Sequence, residues 1–291
     1  MRSLTLIERA TERATERATD LPRQAAIPGI IGGVGPLAHI AFERRLIAES
    51  ARRGATSDRG HPVWILVNAS DIPDRTACLV SGSDECARAL VRYGRMLEAA
   101  GADFLVVACN TAHAFHRPVQ AALSIPWIHL IDATAAAIAR CHPGIERVGV
   151  LATDGTVRAG LYPQSLFGLG IAVVAPSVGS DVQAEVMDAI YAPAWGIKAR
   201  GVDITARAKA AVSQAMHWLH GEGAQLVVAG CTELSAALET LSHESSLPLP
   251  WIDPLEIAAH LTLDLAFGAA DVYPGAIARA PNRATPRKAF R

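Results

Sequence analysis

Two stretches of this chain share one frame. Gly101-Ala-Asp-Phe-Leu-Val-Val-Ala-Cys109 and Gly223-Ala-Gln-Leu-Val-Val-Ala-Gly-Cys231 each run from Gly-Ala through an apolar segment to a cysteine eight residues after the glycine. A helical stretch ends just before each glycine. The likeness extends to PGIIGGVGP (28–36) and RVGVLATDGT (147–156), in which Gly29 corresponds to Gly149 and Gly35 to Gly155. Self-similarity of this kind marks a repeated structural unit, and it predicts two similar halves related by an approximate two-fold axis. Equivalent strand ends of two such halves face one cleft, and strand carboxyl ends are where open α/β sheets build their sites.

The halves are expected to be α/β. Short apolar runs, PGIIGG (28–33), VWILVNAS (63–70), DFLVVAC (103–109), WIHLID (127–132), RVGVLAT (147–153), IAVVAPS (171–177) and QLVVAGC (225–231), read as strands. Between them lie helical stretches such as 37–53 and 84–100. The strand runs are continuously apolar, as in strands buried on both faces of a parallel sheet. The expectation is two Rossmann-like α/β domains with mainly parallel sheets and the site in the cleft between them. A first domain would span 27–131 plus about 250–272, and a second 132–249. Residues 1–26, with ERATERATERAT at 8–19, read as a flexible extension without an apolar stripe, and the basic 273–291 as a flexible tail.

Composition narrows the function classes. The 291 residues are 51% hydrophobic, and the formal net charge is −1, so no global basic field points to nucleic acid or to an anionic membrane. No apolar run reaches the ~18 residues of a membrane helix. The start of the chain lacks the apolar core of a secretion signal. Five cysteines (78, 86, 109, 141 and 231) form an odd set that suits free thiols in a reducing cytoplasm.

Cys109, in Cys-Asn-Thr-Ala-His, and Cys231, in Gly-Cys-Thr-Glu, each stand where a buried strand gives way to a helix. A helix start favours thiolate. A buried cysteine is by default a small apolar side chain, but packing alone does not place the same thiol twice before polar residues. Two thiols across one cleft suit two-base epimerisation: a thiolate removes a proton from a carbon acid, and a thiol delivers one to the opposite face. Other readings are weaker. Gly33 and Gly35 lack the G-x-G-x-x-G spacing of a nucleotide turn. Cys109, His113 and His116 have helical spacing, but no second pair completes a zinc set. Asp71 and Asp74 flank a proline turn and read as turn or cap residues. Cys78, Cys86 and Cys141 have no counterpart in the other half and read as structural or incidental thiols.

GIIGGVGP (29–36), IPDRT (72–76), ACNTAH (108–113), LATDGT (151–156), GIKARG (196–201) and AGCTE (229–233) occur in this order through nearly the whole of 28–270. Together they resemble the aspartate/glutamate racemase superfamily, nearest its aspartate racemase branch. The resemblance implies two catalytic cysteines, Cys109 and Cys231, and a substrate side-chain carboxylate held by Arg75 and Lys198. It implies an amino-acid substrate, no pyridoxal phosphate or other cofactor, no metal, and a homodimer. Gly33, Gly35, Asn110, Thr111, Thr153, Thr156 and Thr232 stand where N–H groups and hydroxyls could bind substrate and stabilise charge on its α-carboxylate. His113 and Glu233 would support the two thiols. Glutamate racemase, hydantoin racemase, maleate isomerase and a non-catalytic binder of acidic ligands are the alternatives. Val34 and His39 depart from the family's usual Met and Thr beside the glycine turn.

Overall fold

The structure, a computed structural model, describes residues 24–268; the repeat at 8–19 and the tail 273–291 lie outside the described residues. In chain order the elements are β1 (Pro28–Gly32), α1 (Pro36–Arg52), β2 (Ile65–Asn68), α2 (Arg75–Ser81), α3 (Glu85–Ala99), β3 (Phe104–Val107), α4 (His116–Ala121), α5 (Leu130–Cys141), β4 (Arg147–Leu151), α6 (Asp154–Arg158) and α7 (Leu161–Phe167). They continue with β5 (Ala172–Val174), α8 (Asp181–Tyr191), α9 (Ile197–Arg200), α10 (Ala206–Gly221), β6 (Leu226–Ala229), α11 (Thr232–Glu244), β7 (Trp251–Ile252) and α12 (Pro254–Ala266). The class is α/β, as expected.

Two parallel sheets form, with strand orders β2-β1-β3 and β5-β4-β6-β7. In each, the first strand lies between the next two. The continuous apolar runs are explained by cores on both faces. Phe104 and Val106 of β3 point into one core and Leu105 and Val107 into another. Val148, Val150, Leu226 and Val228 fill one face of the second sheet, and Leu151, Val227 and Ala229 the other. Because side chains alternate along a strand, both sets must be apolar.

The repeated glycines have the same physical task. A Cβ on Gly29 would lie 2.8 Å from the Cβ of Ala102 and 3.2 Å from that of Leu97, at the end of α3. One on Gly149 would lie 2.9 Å from Leu219 and 3.2 Å from the Cβ of Ala224, at the end of α10. In both halves a glycine in the central strand lets the end of the helix that leads into the neighbouring strand press onto the sheet.

The chain passes between the sheets twice. Along α5, Leu130, Ala133 and Ala137 pack into the first sheet's core, and Ile131, Ala135 and Ile138 into the second's. Near the end, Trp251 and Ile252 pair with Val227 and Val228 in the second sheet. Then α12 returns to the first core, where Leu255, Ala258 and Leu261 join Phe42 and Leu46 of α1.

One expected strand is corrected. WIHLID contributes a single bridge, Leu105 to Trp127, and then becomes α5. His129 caps that helix by accepting from the N–H of Asp132, so one six-residue segment holds both the end of a bridge and a helix start.

Candidate active site

The site lies at the carboxyl ends of β3, β4 and β6. β3 leads to Cys109, after which the chain does not enter an α-helix directly. Thr111–Phe115 form a 3-10 turn, and α4 starts only at His116. Pro118 explains the break. In a continuous helix its ring would meet the carbonyl of Ala114, whereas in the first turn of a new helix it is tolerated. β6 leads to Cys231, which occupies the N-cap position of α11. The helix start expected after each thiol is therefore present at Cys231 and replaced by a tighter turn at Cys109.

Arg75, Cys109, Asn110, Thr111, Thr153, Lys198, Cys231, Thr232 and Glu233 line one cavity, together with Val34 and Tyr191. The cavity is tight, with about 10 Å³ open to water centres, room for roughly one water molecule. Both thiols are buried.

Arg75 opens α2 and is turned inward. Its Nη1 donates to Pro73 O (3.1 Å) and Ile72 O (3.4 Å), and Nη2 donates to Val34 O (3.1 Å). Its Nε is buried without a partner. Burial opposes its charge, but Cys109 and Asp74 beside it hold the guanidinium firmly protonated. Asp74 caps the helix by accepting from the N–H of Ala77 (2.9 Å). Its other oxygen accepts from the Tyr191 hydroxyl (3.0 Å), at the end of α8.

On the opposite wall, Lys198 Nζ donates to Glu233 Oε1. Cys231 Sγ and Thr232 Oγ1 donate to Glu233 Oε2 at 3.1 and 3.2 Å. Burial works against the Glu233 carboxylate, yet Lys198 holds it below the usual carboxylate range. Burial likewise opposes charge on Lys198, and Glu233 raises it above the ordinary lysine value. Burial and then the Glu233 charge push the Cys231 thiol well up, with Lys198 opposing. The thiolate expected from the helix start is outweighed here, and Cys231 rests as S–H.

The remaining residues expected at the site stand behind its wall. Thr156 binds Thr111 (2.9 Å) and Thr153 (3.3 Å), and Thr111 also binds Thr153 (2.9 Å), a ring of three hydroxyls. Gly35 closes against the ion pair, since a Cβ there would lie 2.9 Å from Glu233 Oε1 and 3.3 Å from Lys198 Nζ. Gly33 has φ +81 and packs on the backbone of Ala69 and Ser70, with its N–H donated to His39 Nδ1 (3.1 Å). His39, one of the two departures, thus braces the glycine turn. His113 donates from Nδ1 to Cys109 O (2.8 Å), not to the thiol. Burial, then His129 and His116, hold it well below the ordinary imidazole value. His116 turns to Trp127 O (3.1 Å), so the two histidines do not converge on the Cys109 sulfur. Among the described residues, no group of three or more His, Cys, Asp or Glu is arranged to hold a metal ion.

The model of the Asp/Glu/hydantoin racemase family matches residues 31–262, which include every residue of this cavity. The chain belongs to this family. As a member of it, the chain is 26% identical to the broad specificity amino-acid racemase RacX of Bacillus subtilis over 81% of its own length and 96% of the relative's. The aspartate racemase of Picrophilus torridus has a similar structure, with TM-score 0.68 and 27% identity, over 84% of this chain and 95% of that one. An aspartate racemase homologue from Pyrococcus horikoshii matches with TM-score 0.61 and 26% identity, over 83% and 99%. The racemase family was legible in the motifs. Tyr191 was not singled out, because its approach to Asp74 spans 117 positions. The same holds for Tyr162, whose hydroxyl donates to Asn110 Oδ1 at 2.6 Å.

Proposed function

We propose that this chain is a cofactor-independent racemase of acidic amino acids, with aspartate as the preferred substrate and Cys109 and Cys231 as the two proton carriers. The observation that carries this reading is one tight cavity lined by two thiols, one from each sheet, with Arg75 and Lys198 on its facing walls. The charges are complementary. Arg75 and Lys198 bring two positive charges to a substrate with two carboxylates, and Glu233 pairs with Lys198.

In the resting state Cys231 holds its proton and hydrogen-bonds through it to Glu233. Two-base chemistry needs the partners in opposite states, so in the direction that starts here Cys109 removes the α-proton and Cys231 supplies one on the other face. In the reverse direction Cys231 starts as the thiolate that this turnover leaves, with Lys198 favouring its charge, and Cys109 holds the proton to be delivered. Negative charge growing on the α-carboxylate meets the free Asn110 amide, whose Nδ2 is buried without a partner, and the hydroxyls of Thr111 and Thr232. The unpartnered Nε of Arg75 is available to the distal carboxylate. The tight cavity requires loop movement to admit an amino acid. A homodimer and a division into domains at 27–131 with 250–272 and 132–249 belong to the same proposal.

The test is incubation of the protein with L-aspartate in heavy water, without added cofactor. Loss of optical rotation with deuterium at the α-carbon supports the reading. Unchanged rotation and no exchange overturn it, and maleate turnover without such exchange points to an isomerase using one thiolate as nucleophile. RacX, named for broad specificity, supports a second reading with a wider substrate range. Comparable rates on neutral amino acids would favour it.

A further inference from the structure

Two thiols outside the cavity also meet. Cys78, in the second turn of α2, and Cys86, near the start of α3, are both buried, and Cys86 Sγ lies 2.8 Å from Cys78 Sγ. That separation is within ~1 Å of a disulfide bond. The pair lies below Arg75. Cys78 follows it by three residues on the same helix, and Cys86 Sγ also donates to Pro73 O (3.2 Å), the carbonyl that receives Arg75 Nη1. Seven residues of chain separate the two cysteines, with Gly82 at φ +69 closing the turn between the helices. Packing alone would be served by any two small apolar side chains; here the sulfurs face each other.

We propose that Cys78 and Cys86 form a redox-closable dithiol, oxidised to an intrachain disulfide by small disulfides of the glutathione class. The step balances by exchange. One thiolate attacks the small disulfide and releases one small thiol, giving a mixed disulfide. The second cysteine attacks that sulfur, forms the Cys78–Cys86 bond and releases the second small thiol. The protein loses two hydrogens and two electrons, and the small disulfide gains both. Because the pair is covered, exchange waits for the α2–α3 corner to open, so it is slow and speeds up in mild denaturant. Once closed, the bond joins the helix that presents Arg75 to its neighbour and shortens the free chain in the unfolded state.

The sequence supplies a direct readout, since trypsin releases Thr76–Arg88 with both cysteines on one peptide. The Cys141→Ser protein, which lacks the exposed thiol, is incubated with oxidised glutathione, quenched with iodoacetamide and digested without reductant. The expected result is Thr76–Arg88 two hydrogens lighter and unalkylated, with a Tm raised by about 5 °C or more, reversed by dithiothreitol and absent in the Cys86→Ser variant. Recovery of that peptide with both cysteines alkylated or separately glutathionylated overturns the proposal. So does an oxidised protein whose only bridge joins Cys109 to Cys231, or a Tm gain that persists in Cys86→Ser. None of these outcomes depends on racemase activity.

Discussion

Cys231 donates its thiol hydrogen to Glu233 at 3.1 Å, and the two are separated by one residue at the start of the same helix. The carboxylate thus keeps a thiol protonated that a bare helix start would tend to ionise. Glu233→Gln removes the charge that, after burial, does most to push Cys231 up. The expected result is earlier ionisation: alkylation of Cys231 as a function of pH, measured in the Cys109→Ala background, should move to lower pH and run roughly tenfold faster at a fixed pH below the transition. An unmoved profile would show that Glu233 does not govern this thiol.

The two-thiol reading predicts equal dependence on both sulfurs. Cys109→Ala and Cys231→Ala should each lower kcat for full racemisation by at least about 10³-fold, while exchange of the α-hydrogen survives in one enantiomer only. Chiral chromatography combined with mass measurement of deuterium separates these outcomes. Wild-type rates in both variants are incompatible with the mechanism.

Arg75→Lys keeps the charge and loses the fork. The guanidinium reaches Val34, Pro73 and Ile72 carbonyls together, which a single ammonium cannot do. KM for aspartate should rise about tenfold or more, while any residual turnover of alanine changes little. Equal losses on both substrates would remove Arg75 from distal-carboxylate recognition.

Gly35→Ala tests the ion-pair wall at a residue whose φ of −101 lies in the extended region. The added methyl meets Glu233 Oε1 and Lys198 Nζ. Activity should fall about tenfold, with a Tm within a few degrees of the parent. A collapse of Tm would mean that the glycine serves folding instead.

Acid should destabilise the protein through the histidines behind Cys109. His113, His116 and His129 are all lowered, chiefly by burial, His129 to about 4. In the unfolded chain they titrate near ~6.5. The unfolded state therefore binds more protons between these values, so their contribution is complete above about pH 6.5 and is lost as pH falls toward the folded values. Urea midpoints measured from pH 8 down to pH 5 should decline, and His129→Gln should flatten the decline. A midpoint independent of pH over that range would contradict the assignment.

Much of this arrangement could be read before any coordinates. The cysteines were visible because strand, thiol and helix start coincide in sequence, and Arg75 and Lys198 because each stands in a distinctive short motif. What escaped was long-range or conformational. Nothing around Tyr191 announces Asp74 as its partner, and Thr76–Arg88 gives no sign that its two thiols face each other. WIHLID reads as a strand because its four apolar residues satisfy a strand and a helix start equally well; His129, acting as a cap, decides between them. The turn after Cys109 was hidden in Pro118, nine residues beyond the thiol, because the frame shared with Cys231 suggests a helix directly after both.

The double passage of the chain, once along α5 and again between Ile252 and Pro254, has a mechanical consequence. Two bodies joined by one thread can separate and come back in any orientation. Joined at two points, they swing like a door on two pins, about a single line. A movement of one sheet against the other would then carry Cys109 and Cys231 apart and back along one arc, and would restore the alignment that the proposed pair of proton carriers requires.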